Sequence, residues 1–337
     1  MKDDKRQVFY GQVNHARYRG QPQGHYESFF QRANHPSRPL AFWVRYTLFS
    51  PALHPGDAIG ELWAVFFNGE TRKHVVVKKE LPLSECLFDT TRLHVRVGNA
   101  ELSERSLSGE ARTGKDSIAW DLSYKGGSKP VLLLPFPLYS TKLPAAKSLV
   151  GVPMAQYIGR LAVNGEIVDV TDWVGSQNHN WGLRHTDLYA WGQVAGFDTH
   201  PESFLELATA KLRVGSLWTP PITPIVLRHR GREHALNGLF QAVKAHGRFD
   251  YFSWNFASQT REVSLKGTIV ARRDAFVGLN YYNPPGGNKH CLNTKIAACS
   301  LRFEDKASGT VEVLETKNRA AFEILTDDRE HGISIAV

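Results

Sequence analysis

Almost no stretch of this chain repeats its apolar residues at the spacing of a helix face. What recurs is short alternating or apolar runs, rich in β-branched and aromatic residues and broken by turn residues. Segment 117–124 is the cleanest. Ile118, Trp120, Leu122 and Tyr124 fall on one face, and Ser117, Ala119, Asp121 and Ser123 on the other. Similar runs occupy 41–49, 59–67, 74–79, 93–97 and 101–107, then 154–163, 166–170, 188–197, 204–214 and 225–229, and finally 249–256, 262–271, 295–303, 310–315 and 320–325. Asn164-Gly165, between two of them, suits a type I′ hairpin turn, whose central residues both need positive φ. Asn68-Gly69 and the surroundings of Gly231 read the same way. Many short strands with frequent turns make an all-β sandwich or barrel.

The 337 residues exceed what one core usually holds, so two domains are expected. Segment 126–146 contains four prolines and two adjacent glycines, which break any regular element. The expected division is therefore 1–145 and 146–337. A second loop-rich stretch, Asn283–Lys289, is expected at a rim.

Composition excludes several classes. Three cysteines, Cys86, Cys291 and Cys299, give neither a disulfide framework nor a zinc pattern. The N-terminus lacks the apolar core of a signal peptide, and no run approaches the roughly 18 apolar residues of a membrane span. A reducing, cytoplasmic setting is the expectation. The net charge of +8 is scattered, with no run of five basic residues. Nucleic acid is not an expected partner, because no recognition motif accompanies the charge. Loose contact with an anionic membrane surface is the alternative use of that charge. Phosphate-loop, dinucleotide and GxSxG patterns are absent, and no cofactor is implied.

Chemistry concentrates in 172–198. Trp173, Trp181 and Trp191 fall within nineteen residues, among Asp172, Gln177, Asn178, His179, Asn180, His185, Asp187 and Asp198. On the strand 188–197, Tyr189, Trp191 and Gln193 share one face, an aromatic floor with an amide that suits a pocket wall in a barrel mouth. The same residues also suit a packed core with hydrogen-bonded amides. No HxH or HxxxH spacing occurs here, so no metal site is expected. A second constellation lies earlier. Trp43 and Arg45 share a face of one strand, and Glu61 and Trp63 a face of the next. An Arg45–Glu61 pair in an aromatic cavity is then geometrically easy, and desolvation there raises a carboxyl pKa toward proton donation.

The run GSQNHNWG (Gly175–Gly182), followed by YAWGQVAGFD (Tyr189–Asp198), resembles the central motif of the lipocalin-like family of carotenoid 1,2-hydratase and tocopherol cyclase. The early RYTLFSP and GELWAVFF segments and the late CLNTKIAACSLRF, AAFEIL and HGI segments are similar to its opening and closing strands. The first turn departs from the lysine-containing version of tocopherol cyclases. The resemblance implies two tandem lipocalin-like antiparallel β-barrels with a hydrophobic ligand cavity. It also implies cofactor-independent hydration, cyclisation or isomerisation of an isoprenoid or polyketide-like compound. In that chemistry a protonated alkene is stabilised by aromatic faces. Carried over, Asp198 or Glu61 is the expected proton donor and His179 the base or water-positioner. Asn180, Trp181, Tyr189, Trp191 and Gln193, with Trp43, Arg45 and Trp63, are the expected ligand-binding residues. A non-catalytic carrier of a hydrophobic ligand uses the same cavity. A structural protein whose motif closes the junction between barrels is the third reading.

Overall fold

The computed structural model describes Lys2–Val337. A short helix, α1 (Lys2–Tyr10), precedes the first sheet. That sheet contains β1 (His25–Asn34), β2 (Leu40–Ser50), β3 (Ile59–Asn68), β4 (Val75–Pro82), β5 (Cys86–Phe88) and β6 (His94–Val97). It continues with β7 (Ala100–Ser103), β8 (Ser106–Thr113), β9 (Asp116–Lys125), β10 (Val131–Leu132), β11 (Ala146–Val163) and β12 (Glu166–Gly182). Its order is β4-β3-β2-β1-β12-β11-β9-β8-β7-β6-β5, with β10 added to β11. The sheet curls until β4 meets β8, where Lys78 N and O both bond Thr113 Oγ1, at 2.8 and 3.1 Å.

The second sheet contains β13 (Leu188–Ala195), β14 (Phe204–Lys211), β17 (Ile225–His229) and β18 (Arg232–Leu236), after a small β15 (Arg213–Val214) and β16 (Leu217–Trp218) hairpin. Helix α2 (Leu239–Lys244) leads into β19 (His246–Asp250), β20 (Ser253–Gln259) and β21 (Val263–Val270). The sheet ends with β22 (Val277–Tyr282), β23 (Asn288–Asp305) and β24 (Thr310–Thr326), in the order β18-β17-β14-β13-β24-β23-β21-β20-β19. All these pairings are antiparallel, and the fold is two lipocalin-like β-barrels in tandem. Alternation builds each core. Phe29, Phe42, Tyr46, Leu62 and Trp120 fill the first barrel, and Val194, Leu205, Trp254, Phe256 and Phe322 the second.

The outward faces of the two barrels are also buried, against each other. Phe30, Trp43, Trp63 and Phe67 from the first meet Trp191, Leu279, Tyr281 and Leu325 from the second in one cluster. This seam explains three departures from the sequence reading. All ten residues of β1 are buried, one face in the first barrel and the other in the seam. HYESFFQRAN therefore lacks the alternation of a half-exposed strand and was not read as one. For the same reason the amide-rich run QNHNWG (Gln177–Gly182), expected as a turn, is the end of β12. The expected boundary at 145/146 also falls inside the first sheet, because β11 pairs with β9 and β12 with β1. The division lies in the short link 183–187. The proline-rich segment is a strap across the seam. Arg228 donates to Lys129 O and Pro130 O, and Asn237 Nδ2 to Leu132 O and Leu133 O.

The hairpin at Asn164-Gly165 has φ of 52° and 88°, as the type I′ reading requires. Two glycines of 172–198 permit close approach. A Cβ on Gly175 would lie 1.7 Å from Arg32 O, and one on Gly192 would lie 2.8 Å from Trp254.

Candidate functional site

The seam does not pack completely. A cavity of about 250 Å³ lies between the barrels. Tyr26 and Phe30 of β1, Trp43 and Arg45 of β2, and Tyr189 and Trp191 of β13 line it, with Tyr281 and Glu323 from β22 and β24. Leu133, Leu134 and Leu138 of the strap, with Ile222 and Leu239, cover its apolar side. It is aromatic because alternate residues on the outward faces of β2 and β13 point into the seam.

Arg45 is 5% exposed and makes no ion pair among the described residues. Its Nε donates to Ser28 Oγ and Thr47 Oγ1, both at 2.9 Å, and its Nη2 to Ser28 Oγ at 2.6 Å. Its guanidinium carbon lies 4.4 Å from the Tyr281 ring centroid, within cation–π range. Glu323 is paired instead with the fully buried Lys295, Oε1 to Nζ 2.6 Å, and accepts from Asn293 Nδ2 at 3.0 Å. Burial lowers the pKa of Lys295, with Glu323 opposing the shift. His185 stacks on Tyr26 at 4.0 Å, and burial brings its pKa down to about 3, so it stays neutral.

A fully buried amide network lies behind Trp191. Gln193 accepts from Arg32 Nε (2.7 Å) and Ser176 Oγ (2.6 Å), and its Nε2 donates to Asn178 Oδ1 and Glu206 Oε2. Trp191 Nε1 donates to Glu206 Oε1 at 2.8 Å. Burial pushes the Glu206 carboxyl up to about 7, against these hydrogen bonds, which favour its ionised form.

The expected site residues divide by face. Trp43, Arg45, Asn180, Tyr189 and Trp191 line the cavity. Gln193 lies one layer behind it, and Trp63 packs edge-on to Tyr281 at 5.6 Å. His179 and Trp181 sit on the opposite face of β12. Trp181 packs with Val13, Tyr139 and Leu149. His179 Nδ1 donates to Val13 O, and its Nε2 lies 2.8 Å from Glu27. Arg45 and Glu61 do not pair, because the register sets Arg45 opposite Trp63 and Glu61 opposite Thr47. Glu61 takes Lys78 at 2.7 Å, and its burial raises its pKa in spite of that partner. Asp198 lies in the turn after β13, its side chain 41% exposed and 3.4 Å from Arg319. The structure therefore does not bring His179, Glu61 and Asp198 together.

The sequence reading missed Tyr26, Glu206, Tyr281, Lys295 and Glu323. Glu206 and Glu323 had a visible signal, a lone carboxylate inside the apolar runs FLELA and AAFEIL. One metal-capable cluster exists among the described residues, His200, His229 and Glu312. Arg230 Nη2 already lies 2.8 Å from Glu312, and none of the four lines the cavity.

Fold and site together define a double lipocalin-like barrel with a ligand-sized, aromatic cavity between the barrels. No family model matches the chain. An uncharacterized protein of Mycobacterium tuberculosis, found in two strains, is 24% identical over 288 residues, covering 83% of this chain and 82% of the relative. Among solved structures, a protein assigned as AttH from Nitrosomonas europaea superposes with a TM-score of 0.56 at 12% identity. The match covers 90% of this chain and 91% of that one. Kievitone hydratase from Nectria haematococca superposes with a TM-score of 0.54 at 13% identity, covering 92% and 93%. At these identities the likeness is one of fold.

Proposed function

We propose that the protein is a cofactor-independent acid–base enzyme of the hydratase type, acting on a hydrophobic small molecule held between the barrels. The observation that carries this reading is Glu323, a carboxyl on the wall of an aromatic cavity with the buried ammonium of Lys295 at 2.6 Å. Hydration of a double bond needs one proton taken from water and one given to carbon. A single carboxylate does both in turn. Glu323 removes a proton from water as the C–O bond forms, and the π electrons move to the neighbouring carbon. The proton then passes to that carbon, and the carboxylate is restored. Lys295 holds Glu323 in place and stabilises its charge. The apolar walls exclude other water, which strengthens these interactions. Cyclisation or isomerisation uses the same group with an internal hydroxyl or carbon in place of water. The shared fold with a protein named as a hydratase supports the reading.

The test is incubation of the whole protein with a panel of unsaturated terpenoids and polyketide phenols in ¹⁸O-labelled water, followed by mass spectrometry. The expected product carries one labelled oxygen, and Glu323→Gln lowers its rate by about 100-fold or more. Wild-type rates in Glu323→Gln contradict the assignment. Tight binding with every ligand recovered unchanged supports the carrier reading instead.

A further inference from the structure

The charges around the cavity do not balance. Arg45 is buried without a carboxylate partner, and its Nη1 donates to no described residue. Lys147 also lines the cavity, is 8% exposed, and has the carbonyl of Pro144 as its hydrogen-bond acceptor, at 2.7 Å. It makes no ion pair among the described residues. Neither cation pairs directly with Glu323, which Lys295 already holds; Glu61 and Glu323 favour the charge of Arg45 only from a distance. Two further donors on the same wall, Trp43 Nε1 and the Tyr281 hydroxyl, lack a partner among the described residues. A buried cation without a counter-charge is costly, and so is a buried donor without an acceptor.

We propose that the cavity takes an amphipathic organic acid, whose anionic oxygen group sits on Arg45 and whose apolar body lies along Leu133, Leu134 and Leu138. A carboxylate or a phenolate supplies the missing charge and accepts from the guanidinium, the indole N–H and the tyrosine hydroxyl together. The proposal rests on the hydratase reading only in placing the ligand in this cavity. The excess positive charge also suits electrons moving onto a ligand oxygen during hydration, more than it suits a free carbocation.

Binding is read by quenching of Trp43 and Trp191, using two pairs of probes: decanoate against 1-decanol, and 4-hexylphenol against hexylbenzene. At least tenfold tighter binding of the acidic member in either pair is expected, and the pair that shows it identifies the oxygen group. Arg45→Met should abolish the preference while 1-decanol binding persists. Lys147→Met should reduce it by a smaller factor. Equal affinity within both pairs, or an unchanged preference in Arg45→Met with native circular dichroism, overturns the proposal. These readouts do not depend on turnover, so failure of the hydratase reading leaves them interpretable.

A separate observation concerns the rim. Of the sixteen exposed large hydrophobic residues among those described, eight lie on four segments that border the cavity. Leu143 adjoins the lining residue Pro144, and Leu183 lies two residues before His185. Val214, Leu217 and Trp218 form the β15–β16 hairpin just after Leu212. Leu239, itself a lining residue, continues into Phe240 and Val243 on α2, and Phe240 is 85% exposed. The charges on these segments are mostly of one sign. Residues 138–149, 183–187, 211–222 and 238–249 contain Lys142, Lys147, Arg184, Lys211, Arg213, Lys244 and Arg248 against one carboxylate, Asp187, which accepts from Arg213 N at 2.8 Å.

We infer that this rim docks on an anionic lipid surface, so that an apolar ligand passes between bilayer and cavity. Exposed Trp, Phe and Leu on short projections with basic flanks are the chemistry of interfacial binding. Cosedimentation with vesicles tests it, using neutral phosphatidylcholine alone and phosphatidylcholine with 30% phosphatidylglycerol as stated probes. Binding to the anionic vesicles is expected, with at least tenfold loss in Phe240→Asp/Leu217→Asp, whose exposed positions leave the fold intact. No binding to anionic vesicles, equal binding to neutral ones, or unaffected binding by the double variant overturns the inference. Concentration-dependent dimerisation lost in the same variant also overturns it, because the rim would then cover a second copy of the chain.

Discussion

Two regions of this protein bury several ionisable groups, and they do so in opposite ways. Inside the first barrel, Glu27 is 0% exposed and accepts from the backbone N–H groups of Arg17 and Tyr18 at 2.7–3.0 Å. His25 and His179 stand at 3.1 and 2.8 Å, and Phe29 stacks on His179 at 4.1 Å. Burial pushes this carboxyl up, but the hydrogen bonds from His179 and His25 outweigh it and bring it down to about 2. Both oxygens of the Glu27 carboxylate are hydrogen-bonded. In the seam, Arg45 lacks a counter-ion, Trp43 and Tyr281 lack acceptors, and burial holds Glu206 near 7. The same residue types in the same fold thus build a structural cluster in one place and an incomplete one beside a cavity. The incomplete one has room and charge for a ligand.

The largest effect that separates them is on stability. Replacing Glu27 by Ala strands two buried histidines and should cost about 3–5 kcal/mol in denaturant unfolding. It should leave the ligand preference of the cavity unchanged. A cost below 1 kcal/mol would break the claim that this cluster is structural.

Next comes the response to pH, where the two carboxyls have opposite signs. Glu206 binds its proton more tightly folded than unfolded. Its contribution is therefore present below about pH 4.5 and is lost as pH rises to about 7, by roughly 3 kcal/mol at most. Glu27 binds its proton less tightly when folded. Its contribution is present above about pH 4.5 and is lost as pH falls toward about 2. Chemical unfolding across pH 4.5–7.5 should show Glu206→Gln flattening the decline on the neutral side. An unchanged profile in that variant would remove Glu206 from the account.

A smaller effect is expected from Arg45→Met, within about 1 kcal/mol of wild type or slightly more stable, because an apolar side chain replaces an unpaired buried charge. A loss of 3 kcal/mol or more by thermal unfolding would make Arg45 a structural residue like Glu27. The smallest is Asp198→Ala. An exposed carboxylate 3.4 Å from Arg319 should change stability by less than about 0.5 kcal/mol and turnover not at all.

The sequence showed faces more clearly than it showed what the faces look at. Period-two alternation grouped Tyr189 with Trp191 and Gln193, and Trp43 with Arg45, and both groups meet in the seam. The same logic could not tell the inside of a barrel from the contact between barrels, since both demand apolar or hydrogen-bonded residues. His179 and Trp181 joined the site through the motif the chain shares with the resembled family, although alternation turns them to the other side of β12. Strand β1 was invisible because Glu27 and Arg32 are buried on opposite faces and leave no polar side to read. The strap was taken to mark the division between the barrels because prolines signal irregular backbone wherever it runs. Glu323 was legible only as an oddity, one carboxylate in an apolar strand whose partner, Lys295, comes from the neighbouring one.

The central claim is that the working site lies between the barrels, at Arg45, Trp191 and Glu323, and not inside the first barrel at His179. Photo-crosslinking tests it most directly. A diazirine-bearing decanoate is irradiated with the intact protein, and the adducts are located by tandem mass spectrometry. The account predicts adducts on Leu133–Leu138 of the strap and on Tyr189 or Trp191, competed away by decanoate. Adducts confined to Phe29, His179 or Trp181 would contradict it.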